Sequence, residues 1–424
     1  MIPRLADDGG APAGVVIVGA GQAGMQAAQS LRDLGFAGKV TLIGDEPGLP
    51  YQRPPLTKAL LLGSIEPAGL VTHPAEWLDA NAIDYRPGLQ VRAIDRAARC
   101  VALSDGNAVP YTQLVLATGA RNRELTVAGA GACALHHVRT HVEASSLRAA
   151  LATANSVAVI GAGFLGLEAA ACAAAMGRRV TIIDVADRVL ARSASRLVAT
   201  AIARHHRDAG IDILLGQSLE GCTRIGDHVE LSLLPHGAIL ADVVLVAIGV
   251  VPNTELADAA GLAVSDGIVV DHRLRTTDPY IWAIGDCARF RDDDRGGALR
   301  IESVQNAVDQ GRFVAAQLLA GGDRYDQVPL FWSDQHGLRL QTAGIVGGDG
   351  DDRAIVRGDM RQPSFSVYHL DSGRLLAVES VNDSRGHMLA RKLLAARAII
   401  PSAAIEDPTV DLRAFLVPAQ GVAA

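Results

Sequence analysis

The chain has 424 residues, of which 49% are hydrophobic and 20% are charged. Its length exceeds one ordinary domain core and favours two or three domains, and its composition argues against disorder beyond the ends. The formal net charge of −7 argues against a nucleic-acid-binding protein, because such proteins are usually basic. We expect no membrane span, since no apolar stretch approaches the roughly 18 uninterrupted residues that one needs, and no signal peptide in the opening MIPRLADDGGAPAG.

The first predicted element is a strand–helix–strand unit between Val15 and Glu46 with a glycine-rich turn. Gly19 permits a tight strand-to-helix bend, Gly21 lets the backbone approach a pyrophosphate, and Gly24 lets the helix lie close to the sheet. The helix N-terminus then presents free N–H groups and a positive dipole end to phosphates. Asp45 follows the second strand, where a carboxylate accepts hydrogen bonds from a ribose. The pattern predicts a dinucleotide site.

The same pattern recurs from Val157 to Asp184, with Gly161, Gly163 and Gly166 in the turn. Two dinucleotide sites in one chain indicate a carrier of reducing equivalents. Asp184 can bind both ribose hydroxyls and repel a 2′-phosphate, which favours NAD over NADP. In this second unit Glu168 is an acid near the start of an apolar helix. The helix dipole alone could stabilise it, but its position beside the nucleotide favours a functional role.

Three further stretches are candidates for ligand contacts. The segment Arg53 to Lys58, RPPLTK, either presents its two cations to whatever lies over the first glycine turn or forms a solvated basic loop. Its prolines predict no helix before Leu56. Apolar strands end at Thr118-Gly-Ala-Arg121 and at Gly249, where glycine brings the backbone near a ligand. Asp286 also ends an apolar strand, and it can bond a polyol chain or cap the next helix.

We predict an α/β fold with two Rossmann-like dinucleotide-binding domains, as in glutathione-reductase-like architecture, followed by a C-terminal α+β domain. Residues 1–120 and 249–328 would form one discontinuous dinucleotide-binding domain, 121–248 a second, NAD-type domain and 329–424 the C-terminal domain. Beyond Pro329 the pattern changes to short strands, the second over Arg353 to Arg357, and then a helix from His387 to Ala398.

The cysteine pattern separates two kinds of reductase. Five cysteines are scattered without C-x-x-C or metal-ligand spacing, which fits a reducing cytoplasm and predicts no metal site. Disulfide and peroxide reductases with two dinucleotide sites need a reactive cysteine, because a thiolate is their nucleophile. The corresponding stretch, Pro54 to Ala59, has no cysteine. We expect Cys172 and Cys287 to serve packing.

The motifs from Val15 onward also carry a family resemblance. In chain order they are VVIVGAGQAG, RPPLTK, LVLATGAR, VIGAGFLGLEAA, RVLAR, GVVPNTELA, IWAIGDCA, RIESVQNA and FWSDQ. Together they resemble the putidaredoxin-reductase-like family of FAD-dependent, NADH-oxidising ferredoxin reductases. That family serves bacterial haem-thiolate monooxygenases and ring-hydroxylating dioxygenases. The motifs stand in family order over most of the chain, so the resemblance is specific.

The resemblance implies that the first glycine turn binds FAD and the second binds NADH. Lys58 and Glu168 would face each other near flavin N5 as the catalytic pair. Asp45 would hold the adenosine ribose, and Trp332 would either pack near the flavin or be an ordinary core tryptophan. The other residues that would contact FAD or the nucleotide are Ala23, Arg53, Val91, Thr118, Arg121, Arg139, Gly249, Asp286 and Val304.

The implied reaction is hydride transfer from NADH to FAD and two single-electron steps to a 2Fe-2S ferredoxin. Such ferredoxins are acidic, so a local basic face is needed on this negative chain. The candidates are Arg312 and the C-terminal helix with Arg391 and Lys392; a solvated helix face is the alternative. A cytoplasmic monomer or weak homodimer is expected. The alternatives are a signalling flavoprotein resembling apoptosis-inducing factor and an NADH-dependent reductase of another small acceptor.

Two positions depart from the family pattern. Thr57 stands where serine is usual, and the sequence SASR follows RVLAR. We expect neither departure to touch a predicted charge or glycine.

Overall fold

A computed structural model describes residues 14–292, 297–322, 324–346 and 354–416 of the chain. The short leader expected before the first strand lies outside these residues, as does the start of the strand predicted at Arg353. Within the described residues, none of the helices is long and apolar enough to cross a lipid bilayer.

The described chain is rich in short strands, and the helices that follow the two glycine turns have equal length. The strands are β1 Gly14–Val18, β2 Lys39–Ile43, β3 Ile83–Arg86, β4 Val91–Asp95, β5 Cys100–Leu103, β6 Ala108–Pro110, β7 Gln113–Leu116, β8 Ala120–Asn122, β9 Leu135–His136, β10 Ser156–Ile160, β11 Arg179–Ile183, β12 Asp212–Leu214, β13 Ser218–Ile225, β14 His228–Leu234, β15 Gly237–Ala241, β16 Val243–Val246, β17 Val250–Pro252, β18 Ile268–Val270, β19 Ile281–Ala283, β20 Ala288–Asp292, β21 Gly297–Leu299, β22 Leu330–Gln335, β23 Leu338–Gly344, β24 Ala354–Gly358, β25 Phe365–Asp371 and β26 Arg374–Val381. The α-helices are α1 Gln22–Asp33, α2 Ala75–Ala80, α3 His141–Thr153, α4 Phe164–Ala175, α5 Arg196–Asp208, α6 Glu255–Ala259, α7 Val304–Ala320, α8 Ser384–Ala395 and α9 Ser402–Glu406.

The chain divides into two compact units. The first combines the described parts of Met1–Gln52, Ala68–Arg121 and Val250–Gln327, and the second those of Arg53–Pro67, Asn122–Gly249 and Val328–Ala424. These boundaries lie within a few residues of the predicted limits of the first domain, except that the segment Arg53–Pro67 groups with the second unit. The division into three domains stays a prediction.

The first unit is built on a parallel sheet with strand order β19-β7-β1-β2-β3. Its inner strands are continuous apolar runs, as expected when helices cover both faces of a parallel sheet. Helix α7 packs tightly on α1, because a Cβ on Gly311 would lie 2.8 Å from the carbonyl oxygen of Ala23. The antiparallel sheet β4-β5-β6 and the small sheet β18-β20-β21 complete the unit.

The second unit contains two larger sheets. One is parallel, with order β12-β11-β10-β16-β9, and the meander β13-β14-β15 packs on its apolar residues. The other is the antiparallel sheet β22-β23-β26-β25-β24, covered by α8 and α9 around a core that includes Tyr368, Leu393 and Ile405. The predicted fold class, with two parallel dinucleotide-type sheets and a C-terminal α+β part, is confirmed.

Helical structure in the RPPLTK segment begins earlier than its prolines suggest. We expected no helix before Leu56, yet a 3₁₀ helix spans Pro54–Thr57. The reason is that proline at the first helical positions loses no hydrogen bond, since those N–H groups have no partner inside the helix.

Candidate functional site: two glycine turns and a buried ion pair

The first glycine turn joins β1 to α1 and leaves no room for side chains. Gly19 has φ +108°, and a Cβ there would lie 2.1 Å from the carbonyl oxygen of Ala117. A Cβ on Gly24 would lie 1.9 Å from the carbonyl oxygen of Gly19. The N–H of Gly19 donates to the carbonyl oxygen of Ile43 at 2.8 Å, which ties the turn to β2. Glycine is therefore required at both positions.

The second turn, between β10 and α4, repeats this geometry almost bond for bond. Gly161 has φ +110°, and its Cβ would lie 2.3 Å from the carbonyl oxygen of Ala247. A Cβ on Gly166 would lie 2.0 Å from the carbonyl oxygen of Gly161. The N–H of Gly161 donates to Ile183 at 2.8 Å. The sequence repeat is thus a repeat of structure.

The middle glycine of each turn faces open space and caps its helix. A Cβ on Gly21 or Gly163 would meet no described atom within 4 Å. Within the described chain no side chain caps α1 or α4, and neither first turn carries an acid. The leading N–H groups and the positive dipole ends are therefore available to an anion. Both turns fit the pyrophosphate of a dinucleotide.

The acids that follow the two strand–helix–strand segments, Asp45 and Asp184, have different hydrogen-bond partners. Asp184 accepts the N–H of Ala162, inside the second turn, at 2.6 Å and that of Ala186 at 2.8 Å. Its carboxylate is thus oriented against the glycine turn. Asp45 is exposed after β2. The neighbouring Glu46 is partly buried and accepts the hydroxyl of Tyr51 at 2.5 Å, so the structure adds a second acid that sequence reasoning missed.

Lys58 and Glu168 form the ion pair that the resemblance implies. Lys58 Nζ lies 2.7 Å from Glu168 Oε1, and the glutamate side chain is only 8% exposed. Two hydroxyls complete the shell of the carboxylate: Thr57 donates to Oε2 at 2.6 Å and Ser333 donates to Oε1 at 2.6 Å. Glu168 therefore has three side-chain partners from two separate segments, and the helix dipole is not its main support.

Thr57 corrects one expectation drawn from the sequence. Its hydroxyl contacts Glu168, so this departure from the family pattern does touch a predicted charge. Serine and threonine both supply the required hydroxyl, which explains why either residue fits. The other departure supplies Ser195, which caps α5 and whose N–H donates to the buried Glu379 at 3.0 Å.

The side chain of Arg53 contacts the backbone of Arg139 in the second unit. The Arg53 guanidinium donates to the carbonyl oxygen of Arg139. Arg139 directly precedes a capping box in which Thr140 and Glu143 begin α3, and Glu143 also accepts the N–H of Arg139 at 2.9 Å. The backbone at Arg139 is therefore fixed from both sides.

Strand β22 presents three side chains in alternation toward α4 and α5. Phe331 stacks on Phe164, with ring centroids 4.1 Å apart, and Ser333 bonds Glu168 at 2.6 Å. Gln335 is the third. Trp332 lies between the first two in sequence, so it belongs to the opposite face of the strand and is partly buried. Phe164, Phe331 and Ser333 were missed by sequence reasoning, which singled out the tryptophan.

The predicted residues of the first unit occupy several places in it. Thr118 donates to the carbonyl oxygen of Asn253 at 2.6 Å, and Arg121 pairs with Glu255 at 2.7 Å.

Asp286 lies in a 3₁₀ turn, whereas α7 is capped by Ser303, so Asp286 is not the cap of that α-helix. The remaining predicted positions are Ala23 in the first turn of α1, Val91 at the start of β4 and Val304 at the start of α7. Gly249, in the second unit, has φ +95°.

The buried cysteines have the character of packing residues. The Cys172 thiol donates to the carbonyl oxygen of Thr57 at 3.2 Å, and burial, with a contribution from Glu168, raises its pKa to about 12. Cys287 is fully buried, and burial raises the pKa of its thiol as well. Neither is a thiolate nucleophile at neutral pH.

The three candidate docking cations are exposed. Arg312 lies on α7 of the first unit, and Arg391 and Lys392 lie on α8 of the second. Helix α8 also carries Arg385 and an exposed Met388, whose relative accessibility is 62%.

Comparison with known proteins defines the class. Residues 13–311 match the pyridine nucleotide-disulphide oxidoreductase family, and residues 330–416 match the reductase C-terminal domain. Proteins of this class are FAD- and NAD(P)H-dependent oxidoreductases.

Within that class this chain is similar to reductases of ferredoxins. Rhodocoxin reductase of Rhodococcus erythropolis is 45% identical over 94% of this chain and 93% of its own length. Putidaredoxin reductase of Pseudomonas putida is 40% identical over 96% of this chain and 97% of its own. The covalent putidaredoxin reductase–putidaredoxin complex has a TM-score of 0.92 at 39% identity, covering 97% of this chain and 100% of that one. This chain belongs to the ferredoxin reductase family.

Proposed function

We propose that this protein is an NADH-dependent flavoprotein reductase that passes electrons from NADH, through FAD, to a 2Fe-2S ferredoxin of a bacterial monooxygenase or dioxygenase system. The observation that carries the proposal is the Lys58–Glu168 pair, at 2.7 Å, in a chain with two dinucleotide turns. A disulfide reductase would need a reactive thiol, whereas here a lysine occupies this segment and the nearby Cys172 has a pKa of about 12. The names of the similar proteins, rhodocoxin reductase and putidaredoxin reductase, support the same acceptor class.

We assign FAD to the first turn and the nicotinamide nucleotide to the second. Gly19, Gly21 and Gly24 would receive the FAD pyrophosphate, and Asp45 its ribose. The further residues that we assign to FAD or to its junction with the nucleotide are Ala23, Arg53, Lys58, Val91, Thr118, Arg121, Arg139, Gly249, Asp286, Val304 and Trp332. When bound, FAD accepts a hydride from NADH and releases two electrons one at a time.

The protein's own contribution is positioning and charge. With FAD bound, the Lys58 ammonium would supply a positive charge to the flavin, on which negative charge develops on reduction, and Glu168, 2.7 Å from Lys58 Nζ, would orient that ammonium. Neither side chain has to transfer a proton in the hydride step. Because Glu168 is nearly buried and hydrogen bonded, the charges are arranged before the reaction begins.

Asp184 supports NADH as the donor. Its carboxylate is oriented by the N–H of Ala162 in the glycine turn at 2.6 Å, and it keeps acceptor capacity for ribose hydroxyls. A 2′-phosphate at the same place would meet a like charge. We therefore propose a preference for NADH over NADPH.

We propose that Arg312, Arg391 and Lys392 contribute to ferredoxin docking. All three are exposed cations on helices, and acidic ferredoxins would be steered toward them. Arg391 and Lys392 lie beside Met388, and an exposed apolar side chain within a basic rim is typical of a docking patch. We also propose a cytoplasmic location, which the free thiols of all five cysteines support.

The proposal is tested by anaerobic titration of the purified protein with NADH and then NADPH, followed spectrophotometrically. We expect a flavin spectrum that NADH bleaches at lower concentration than NADPH does. Adding a 2Fe-2S ferredoxin and cytochrome c should then give NADH-dependent cytochrome reduction that needs the ferredoxin. A protein that cannot be reconstituted with FAD would contradict the proposal, as would one that consumes peroxide but reduces no ferredoxin. A signalling flavoprotein would turn over slowly in this assay.

A further inference from the structure

The carboxylate of Glu168 is linked to the interior of the second unit by a chain of buried side chains. Ser333 donates to Glu168 Oε1 at 2.6 Å, the same oxygen that receives Lys58 at 2.7 Å. Gln335 Nε2 donates to the Ser333 hydroxyl oxygen at 2.9 Å, and His206 Nε2 lies 2.8 Å from Gln335 Oε1. The relative accessibilities of Ser333, Gln335 and His206 are 0%, 1% and 0%. The three linked side chains are thus shielded from bulk water.

The direction of every hydrogen bond in this chain follows from the carboxylate. An ionised carboxylate has only acceptors, so the Ser333 hydrogen must point at Glu168. The Ser333 oxygen then accepts from the Gln335 amide nitrogen, which turns the amide oxygen toward His206. His206 must therefore carry its hydrogen on Nε2. Burial lowers the pKa of His206 to about 4, so the ring is neutral at physiological pH and this tautomer is the one that satisfies the chain.

This chain of hydrogen bonds also connects three elements of the fold. His206 belongs to α5, Glu168 belongs to α4, and Ser333 and Gln335 share one face of β22. Reversing the amide of Gln335 would place its oxygen 2.9 Å from the Ser333 oxygen with no hydrogen between them, because the single Ser333 hydrogen points at Glu168. The hydrogen bonds therefore have one favourable direction, and they end on one oxygen of Glu168.

We propose that Ser333, Gln335 and His206 are positioning residues for the reductive half-reaction: they hold Glu168 so that its Oε1 orients the Lys58 ammonium. The inference rests on the proposed roles of Lys58 and Glu168. Lys58 lies beyond the end of a short 3₁₀ helix and its side chain is 23% exposed, so its own segment constrains it weakly. The Glu168 carboxylate therefore fixes the position of the Lys58 ammonium. Ser333 on strand β22 in turn helps to fix that carboxylate.

The test uses Ser333→Ala, which removes the donor without adding volume, and Ser333→Thr, which keeps it. A matched control is Ser366→Ala. Ser366 is also 0% exposed, lies on the same sheet and donates to a carboxylate, that of Asp383, at 2.8 Å. Both alanine variants lose one buried hydroxyl–carboxylate bond, but only one of these bonds involves Glu168. Gln335→Leu interrupts the chain one step further from the carboxylate.

Two measurements are made on the FAD-loaded proteins. Rapid-mixing absorbance gives the rate of flavin reduction by saturating NADH, and spectroelectrochemistry gives the flavin midpoint potential. We expect Ser333→Ala to slow reduction by roughly tenfold, the scale of one hydrogen bond to a charged group, and Gln335→Leu, which loses bonds to neutral groups, to slow it less. We also expect the midpoint potential to shift in both, and Ser333→Thr and Ser366→Ala to keep the parent rate and potential.

A double substitution separates this inference from the proposed function. If Ser333 acts through Glu168, adding Ser333→Ala to Glu168→Gln should slow reduction no further. An additive loss would overturn the inference, as would an unchanged rate and potential in Ser333→Ala when Glu168→Gln alone is slow. If Glu168→Gln and Lys58→Met both reduce flavin at the parent rate, the proposed roles of the pair fail, and the inference fails with them.

Discussion

The Thr57 hydroxyl lies 2.6 Å from Oε2 of Glu168, on the opposite oxygen from the one that receives Lys58. The residue directly before the lysine thus helps to hold the lysine's partner. Thr57 is buried, with 4% of its surface exposed, so water cannot replace a lost hydroxyl.

Replacing Thr57 by valine removes this donor while keeping the shape of the side chain. We expect flavin reduction by NADH to slow by roughly ten- to a hundredfold, because an unmet hydrogen bond to a charged group costs on the order of 1.5–3 kcal/mol. Thr57→Ser should behave as the parent. The measurement is rapid-mixing absorbance at saturating NADH. Equal rates in the valine and serine variants would contradict the role of the hydroxyl.

Asp184→Ala should weaken NADH binding and reduce discrimination against NADPH. The carboxylate is oriented by the glycine turn and is assigned to the ribose, so its loss affects binding more than chemistry. We expect KM for NADH to rise about tenfold with kcat nearly unchanged, and the ratio of kcat/KM for the two donors to fall. Asp187→Ala is the control, because Asp187 is a nearby exposed acid paired with Arg196 at 3.1 Å. An unchanged ratio in Asp184→Ala would remove Asp184 from the specificity argument.

Alanine substitutions at Gly24 and Gly21 of the first turn should have different effects, the first on fold stability and the second on FAD binding. A Cβ on Gly24 overlaps the carbonyl oxygen of Gly19 at 1.9 Å, so Gly24→Ala should destabilise the fold by about 3 kcal/mol or more. A Cβ on Gly21 meets no described atom within 4 Å, so Gly21→Ala should fold normally but bind FAD more weakly. Chemical denaturation and FAD titration of each variant distinguish the two effects. Full FAD affinity in Gly21→Ala would contradict phosphate binding at this turn.

Stability should fall as the pH drops from about 6.5 toward about 4. Burial, with Arg391 and Arg339 nearby, lowers the pKa of His387 to about 4, whereas an unfolded histidine titrates near 6.5. In this range the unfolded chain binds the extra proton, so acid favours unfolding, and the effect is absent above pH 6.5. We expect His387→Leu to reduce the acid-induced loss by about 3 kcal/mol relative to the parent. Urea unfolding at pH 7.5 and 4.5 measures the difference; identical losses in both proteins would contradict it.

Charge reversal should identify the docking helix. Arg312→Glu and Arg391→Glu each place an acid on an exposed helix position, and an acidic ferredoxin should bind the affected face about tenfold more weakly at low salt. Arg413→Glu is the control, since Arg413 is exposed and paired with Asp411 at 3.3 Å. The affinity of each variant for ferredoxin is measured by adding increasing amounts of ferredoxin to the cytochrome c assay at two ionic strengths. A variant with unchanged affinity at low salt excludes its arginine from the interface.

The sequence alone determined the parts of this protein that depend on local backbone constraints. Gly19, Gly24, Gly161 and Gly166 were predictable because a side chain at those positions would collide with backbone oxygens. The two parallel sheets followed from apolar runs that alternate with helical segments. The pairing of Lys58 with Glu168 was reached through family resemblance, because nothing local links residues so far apart in sequence.

The tertiary structure decided which side chains surround the Glu168 carboxylate. Ser333 and Gln335 lie more than a hundred residues from Glu168 and His206, and their contacts depend on how β22 packs against α4 and α5. Period-two alternation says that Ser333 and Gln335 share a face, but not which element covers it. Only packing of the folded chain shows that the covered face leads to the carboxylate. Local sequence sets backbone shape, whereas long-range contacts depend on the packing of whole elements.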